Sequence, residues 1–216
     1  MASKKDKLIG VLVIIVLSIA YILMMFSGDY YYSDAIDEYE NGNYLEAISL
    51  LEEAEDNRHR SEDNDDIYFM LGNCYYELEM YEEAIDYYED AISINSGDVM
   101  YYTNLGICYA KTGEYEKAMT EYFNALDIDP DYAELNSSIG SLYIRLEHPE
   151  LSIKYFEKAI ELDPTVGTAY GNCAYAYALI GEIDKAYEYL EQSIEHDYQN
   201  ADTIREMIEE LEYYNY

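Results

Sequence analysis

Tyr68-Phe69-Met70-Leu71-Gly72-Asn73-Cys74-Tyr75 returns 34 residues later as Tyr102-Thr103-Asn104-Leu105-Gly106-Ile107-Cys108-Tyr109. It returns again, in weaker form, as Asn136-Ser137-Ser138-Ile139-Gly140-Ser141-Leu142-Tyr143, and at the next step Cys173-Ala174 precedes Tyr177. Outward from this octet the same spacing places Ala84, Ala118, Ser152 and Ala186 in one slot. Tyr88, Tyr122, Phe156 and Leu190 share another, Ala91, Ala125, Ala159 and Ser193 a third, and Pro130 and Pro164 close two of the units. Each unit holds two apolar stripes at helical spacing separated by a turn, which predicts an all-α chain of helix pairs, helix A then helix B. Small residues let the helices approach and bulky ones fill the gaps between them. No unit hides its apolar face alone, so stacking is cooperative.

The units read as 65–98, 99–132, 133–166 and 167–200, with a degenerate one at 28–61 aligned by Gly42, Tyr44, Ala47, Leu51 and Ala54. The degenerate unit has Asp34-Ala35 for the Leu-Gly pair and Glu38 for the Tyr, and residues 62–64 are an insertion after it. Residues 201–216 read as a capping helix with Ile204, Met207, Ile208 and Leu211 inward. Gly42, Gly113 and Gly181 stand where helix A ends, the place for a left-handed residue. His148-Pro149 takes that place in the fourth unit, with Pro149 opening helix B. Asp129-Pro130 and Asp163-Pro164 are expected as capped starts of the following helix A.

The ordered set of an aromatic, Leu-Gly, Tyr, Ala, an aromatic, Ala and Pro resembles the tetratricopeptide repeat, and the likeness covers about 85% of the chain. The resemblance implies an α-solenoid, a right-handed superhelix of helix-turn-helix units, whose concave face takes an extended or helical peptide. In the family, positions two, five, nine, twelve and thirteen of helix A line that face. Carried across, these are Phe69, Asn73 and Tyr76 in the second unit, and Met100, Thr103, Ile107, Ala110 and Lys111 in the third. The fourth unit supplies Ser137, Ser141, Ile144 and Arg145, and the fifth Thr168, Gly171, Tyr175 and Leu179. Lys111 and Arg145 occupy the same position one repeat apart; they hold a carboxylate or offset nearby Glu. Family members that bind chaperone tails use a Lys/Asn/Lys/Arg set for a terminal carboxylate; here position five is Tyr32, Phe69 or Thr103, so that clamp is lacking.

Ahead of the repeats, Leu8 to Phe26 is a run of 19 uncharged residues, 13 of them Leu, Ile, Val or Phe. As a helix it measures roughly 28 Å, close to the hydrocarbon thickness of a bilayer, and its apolar side chains favour insertion by roughly 4–8 kcal/mol. A retained membrane anchor is expected. A cleaved signal peptide is the alternative, because Ser18-Ile19-Ala20 fits a cleavage site, although the run stays apolar past it. Residues 1–7 are basic with Lys4, Lys5 and Lys7, whereas Gly28 to Glu40 has five acidic residues and no cation. That asymmetry predicts a cytoplasmic N-terminus and a repeat domain on the far side of the membrane.

Charge narrows the partners. The chain carries 12 Lys and Arg against 46 Asp and Glu, a formal net charge of −34. Such a surface repels nucleic acid and, beyond the anchor, anionic lipid. It suits a protein or peptide partner with a basic patch.

Nothing in the sequence calls for a cofactor, a metal or an active site. His59, His148 and His196 fall at loops of different repeats, without metal-ligand spacing. The acidic run Glu62-Asp63-Asn64-Asp65-Asp66 lacks the Gly and register of a calcium loop. Cys74 and Cys108 occupy one internal slot in consecutive repeats, which stacking holds on the order of 8–10 Å apart, and Cys173 lies three positions earlier in its own repeat, which predicts packed free thiols. Of the 29 Tyr, those at positions four and eleven of each unit are core, so the count implies no sugar-binding surface. Asn136-Ser137-Ser138 is a formal glycosylation sequon at a position that is normally packed. A membrane-tethered scaffold binding a partner protein outside the cytoplasm follows. A cytoplasm-facing assembly or protein-import adaptor, and a structural protein that self-associates through Tyr213, Tyr214 and Tyr216, are the alternatives.

Overall fold

A computed structural model describes residues 4–57, 64–196 and 198–215, with side chains throughout except at 4–11, 19–27 and 214–215. The described residues form eleven helices and no strand, in two compact units, 1–96 and 97–216. The first unit holds α1 (Lys4–Glu40), α2 (Tyr44–Asn57), α3 (Asp65–Glu77) and α4 (Tyr81–Ile94). The second holds α5 (Val99–Thr112), α6 (Tyr115–Ile128), α7 (Ala133–Arg145) and α8 (Pro149–Leu162). It continues with α9 (Gly167–Leu179), α10 (Ile183–Glu195) and α11 (Ala201–Asn215). Within the first unit α2 packs against both α1 and α3, and α3 pairs with α4. Within the second, α7 lies against α5, α6 and α8, and α9 against α7, α8, α10 and α11.

Why each hairpin closes is visible in one pair of side chains. A Cβ added at Gly72, Gly106 or Gly140 would come within 2.6, 2.5 and 2.7 Å of the rings of Tyr88, Tyr122 and Phe156. These three aromatics are the largest fully buried side chains, so helix A gives up its side chain where helix B supplies a ring. At the equivalent sites in the outer repeats Ala35 faces the slot of Leu51 and Ala174 that of Leu190, all buried. Ala goes with Leu and Gly with an aromatic: the sum of the two volumes is roughly conserved, as close packing requires.

The turn from helix A to helix B uses a left-handed residue five times, at Gly42, Glu79, Gly113, Glu147 and Gly181, with φ of 78°, 60°, 85°, 60° and 79°. Three were expected from glycine. Glu79 and Glu147 were not, and in the fourth unit Glu147 takes the left-handed conformation while Pro149 opens α8 as expected. A side chain in this region costs about 1 kcal/mol or more. Glu79→Gly and Glu147→Gly are therefore each expected to raise stability by about 0.5–1 kcal/mol, net of the entropy glycine adds to the unfolded chain. Thermal unfolding of each variant checks this; no rise in Tm would show that the Glu side chains make compensating contacts.

One other expectation is corrected. Asp129 and Asp163 end α6 and α8 rather than starting the next helix. Each accepts a hydrogen bond from the backbone two residues on, from Asp131 at 2.9 Å and Thr165 at 2.8 Å, so the Asp-Pro pair builds the turn out of helix B. The true side-chain cap is Asp98, which accepts from Met100 N at 2.9 Å at the start of α5. No break separates the apolar segment from the first repeat: α1 runs unbroken through Ser27-Gly28 and serves as helix A of that repeat, with Ala35 fully buried against α2. A lone Gly costs a helix only about 1 kcal/mol, too little to end it. Among the described residues no helix is long and apolar enough to cross a membrane. The side chains of segment 8–26 lie outside those described except at 12–18, where Leu12 to Leu17 are all at least half exposed.

The C-terminal helix α11 packs on the end of the second unit. Ile204 and Ile208 are buried beneath α9 and α10, with Met207 and Leu211 packed beside them.

Candidate functional site

In the first unit, Phe69, Asn73 and Tyr76 lie along α3, half-buried. Tyr88 reaches across from α4 to donate its hydroxyl to Asn73 Oδ1 at 2.7 Å. Its ring packs against Phe69 at 5.8 Å, and Tyr76 meets Tyr81 edge-on at 5.6 Å. The Asn73 carbonyl is therefore already engaged, and this face is an aromatic surface locked by its own contacts.

The second unit holds a cleft of about 260 Å³ between α5 and α7. Ile107, Ala110 and Lys111 line it from α5, Ser137, Ser138, Ser141, Leu142 and Arg145 from α7, and Tyr122 from α6. Six of the sixteen residues named from sequence thus converge on one hollow. Ala110, Ser137 and Ser141 are small, and that is what leaves the space. Lys111 and Arg145 sit in the last turns of their helices, both exposed. Ser138 Oγ donates to Glu134 O at 2.9 Å and Ser141 Oγ to Ser137 O at 3.0 Å, so their hydroxyl protons are spent on the helix and their lone pairs face outward as acceptors.

The remaining named residues divide. Met100 and Thr168 are exposed and Leu179 half-buried. Ile144 and Tyr175 pack against the hydrophobic cluster of α8 to α11. Thr103 is a correction: it is only 2% exposed and donates its hydroxyl to Val99 O at 2.8 Å, so its side chain belongs to the interior. Gly171 is another, since the ring of Tyr198 lies so close that no Cβ fits there. The sequence reading missed Tyr122, Ser138 and Leu142. Tyr122 had a signal in Tyr88, which shares its slot and likewise reaches helix A. A second cleft of about 540 Å³, around the turn from α1 to α2, is lined by Glu38, residues 42–46 and Leu78 and holds none of the named residues.

Other candidates for chemistry resolve into structure. Cys74, Cys108 and Cys173 are free and fully buried. Burial pushes the Cys74 and Cys108 thiols up to about 12 and raises Cys173 as well, which suppresses the thiolate that reactivity needs. His148 caps α8, and His196 stacks on Tyr170 with centroids 4.9 Å apart. His59, Glu62 and Asp63 lie outside the described residues; of the same acidic run, Asp65 accepts from Asn95 Nδ2 at 3.0 Å. Among the described residues no group of three or more His, Cys, Asp or Glu is placed to hold a metal. Asn136 of the sequon is buried and donates to Tyr132 O at 2.9 Å.

Hairpins of α-helices with small-to-large contacts inside each pair and a hollow on the helix A face are the architecture of a helical repeat protein. Tetratricopeptide repeat profiles match residues 35–96, 87–120, 133–166 and 167–200, and a TPR repeat profile matches 108–146. The chain belongs to the tetratricopeptide repeat family. Among solved structures it is similar to a thermophilic TPR protein of Thermus thermophilus, with a TM-score of 0.71 and 18% identity over 86% of this chain and 98% of that one. MamA from Desulfovibrio magneticus RS-1 superposes with a TM-score of 0.66 and 19% identity over 81% and 97%. Another crystal structure of MamA gives 0.63 and 20% over 82% and 95%. At such identities the likeness establishes the fold. No curated protein matches the chain in sequence.

Proposed function

We propose that the chain is a membrane-tethered scaffold that binds a partner protein or peptide on its helix A face, without chemistry of its own. The observation that carries the tether is the run Leu12 to Leu17, six large apolar side chains each at least half exposed on consecutive residues of a helix. Consecutive positions point in every direction around the axis, so protein packing on one side does not cover them, whereas lipid does. The basic residues before the run and the acidic ones after it favour an N-terminus in the cytoplasm and repeats on the other side. Tethering raises the effective concentration of the scaffold for partners at the same membrane, and the acidic exterior speeds encounter with a basic surface in a salt-sensitive way.

Cell fractionation tests the tether. The intact chain is expected in the membrane fraction after alkaline carbonate, while Ile14→Glu with Leu17→Glu, each costing insertion roughly 2.5–3.5 kcal/mol, is expected in the supernatant. If the variant stays with the membrane, or the intact chain washes off, the tether is wrong. Protease added outside intact cells then decides the side: digestion of the repeats supports the stated orientation, and protection assigns them to the cytoplasm.

A further inference from the structure

α1 is a single helix of 37 residues, from Lys4 to Glu40, so the apolar run and the first repeat lie on one continuous rod. Ser27-Gly28 is the kind of pair at which helices kink, yet α1 continues through it. Helical rise places Tyr30 about 6 Å and Glu40 about 21 Å beyond Phe26, where the run ends. The polar layer on each side of a bilayer's hydrocarbon is roughly 5–8 Å deep, so Tyr30 falls inside it and Glu40 well outside. Hydrogen bonds show what else stands at the level of Tyr30. α2 turns back beside α1, and its last turn meets the first turn of α3, where the Tyr68 hydroxyl donates to Glu55 at 2.6 Å. The end of α4 meets the same turn of α3, with Asn95 Nδ2 donating to Asp65 at 3.0 Å. Residues 29–33, 54–57, 64–68 and 93–96 thus form one edge of the unit. Leu45 and Met80 lie at the opposite edge, about 21 Å away by the 14 residues of α4.

We propose that the edge holding Tyr30, Glu55, Asp65 and Asn95 is a lipid-contact surface, seated on the headgroup layer of the bilayer that α1 enters. This rests on the tether proposed above and adds how the first unit stands on it. A flexible linker lets a tethered domain take any attitude, whereas a helix shared by segment and repeat transmits only its own tilt, about 20° on average. Tyr30 is 64% exposed, at the depth where an aromatic ring with a polar tip is favoured. Its ring meets Tyr31 edge-on at 6.1 Å, and most of its surface is left for another occupant. Asp29, Asp56, Asp65 and Asp66 lie on the same edge, which disfavours anionic lipid and suits the ammonium-bearing headgroups of choline or ethanolamine lipids. The helix A face of this unit then opens sideways, along the membrane plane.

The chain has no Trp, so single-Trp variants of the full chain, reconstituted in phosphatidylcholine vesicles with a dansyl-headgroup acceptor, read height by energy transfer. Tyr30→Trp and Ser96→Trp mark the proposed contact edge, Leu45→Trp and Met80→Trp the opposite one, and all four side chains are exposed. Because the edges differ by about 21 Å in height, transfer is expected to be about twofold or more greater from the first pair than from the second. A linker of about six Gly and Ser residues inserted after Ser27 is expected to erase the difference between Ser96→Trp and Met80→Trp, since it frees the unit to turn. Circular dichroism melts confirm that each variant is folded. A chain that does not float with the vesicles in alkaline carbonate overturns the tether itself. A chain that floats but transfers equally from Ser96→Trp and Met80→Trp, or more from Met80→Trp, overturns the contact edge and leaves the tether standing. A difference that survives the linker overturns α1 as what holds that edge to the membrane.

Discussion

Gly106→Ala is expected to destabilise the second unit by about 2 kcal/mol, and Tyr122→Leu in the same chain to restore much of that loss. The added methyl meets the Tyr122 ring at 2.5 Å and the Ala118 carbonyl at 3.2 Å, and the ring, 2% exposed, has nowhere to go. Overpacking of this kind costs about 1–3 kcal/mol or more, of which the better helix propensity of Ala returns about 1. For a chain of this size, that corresponds to roughly 4–8 °C in Tm. Tyr122→Leu alone leaves a void and costs a further 1–3 kcal/mol. The double variant, however, recreates the Ala174–Leu190 pair that the chain already uses two repeats later. A double-mutant cycle by urea unfolding should therefore show a coupling of at least 1 kcal/mol in favour of the double variant. Simple additivity would mean that the two slots do not compensate in volume.

The second large effect is loss of the fold in alkali. Tyr39 is pushed up to about 12 chiefly by burial, with Glu77 next in weight. Tyr68 reaches about 12 because its hydroxyl donates to Glu55 at 2.6 Å, and Tyr87 does so through burial beside Tyr75. Cys74 and Cys108 are raised to the same value by burial. Tyr177 and Tyr189 are raised too, by burial and by Glu157, whose Oε1 accepts from both. All these groups hold their protons more tightly folded than unfolded. The stability they contribute is complete below the unfolded values, near 8.5 for Cys and 10 for Tyr, and it declines from there to about pH 12. Each group steepens the decline by about 1.4 kcal/mol per pH unit while it is ionised only in the unfolded chain. Cooperative unfolding is expected between roughly pH 10 and 11.5. Tyrosinate absorbance should rise with the loss of helical circular dichroism rather than ahead of it. A smooth titration of most tyrosines near pH 10 with the helices intact would refute this.

How much of this was written in the sequence depends on which interaction sets each feature. The period of 34, the helix pairs and the inward face of α11 were legible, because apolar spacing and small residues record packing directly. The turns were legible only where glycine marked them. Glu79 and Glu147 adopt the same left-handed conformation because the flanking helices impose it on whatever residue stands there. Asp129 and Asp163 misled because a side chain that accepts from the amide two residues on serves a turn as readily as a helix start, as Asp98 shows, and only the place where the next helix begins, at Ala133 and Gly167, separates the two. At the site, register identified Lys111, Arg145, Ser137 and Ser141 as facing one side. It did not reveal that Thr103, on the same register, turns its hydroxyl back onto Val99. The cleft itself is a matter of missing volume, and absent atoms leave their trace only in three dimensions.

The unbroken course of α1 from Lys4 to Glu40 sets a rule for insertions and deletions. One residue added near Ser27-Gly28 rotates everything before it by about 100° relative to the packed stretch around Ala35 and shifts it 1.5 Å along the axis. Seven residues, close to two full turns, nearly restore the angular phase while lengthening the rod by about 10 Å. Relatives that differ in length at this point should therefore do so in steps near a whole number of turns.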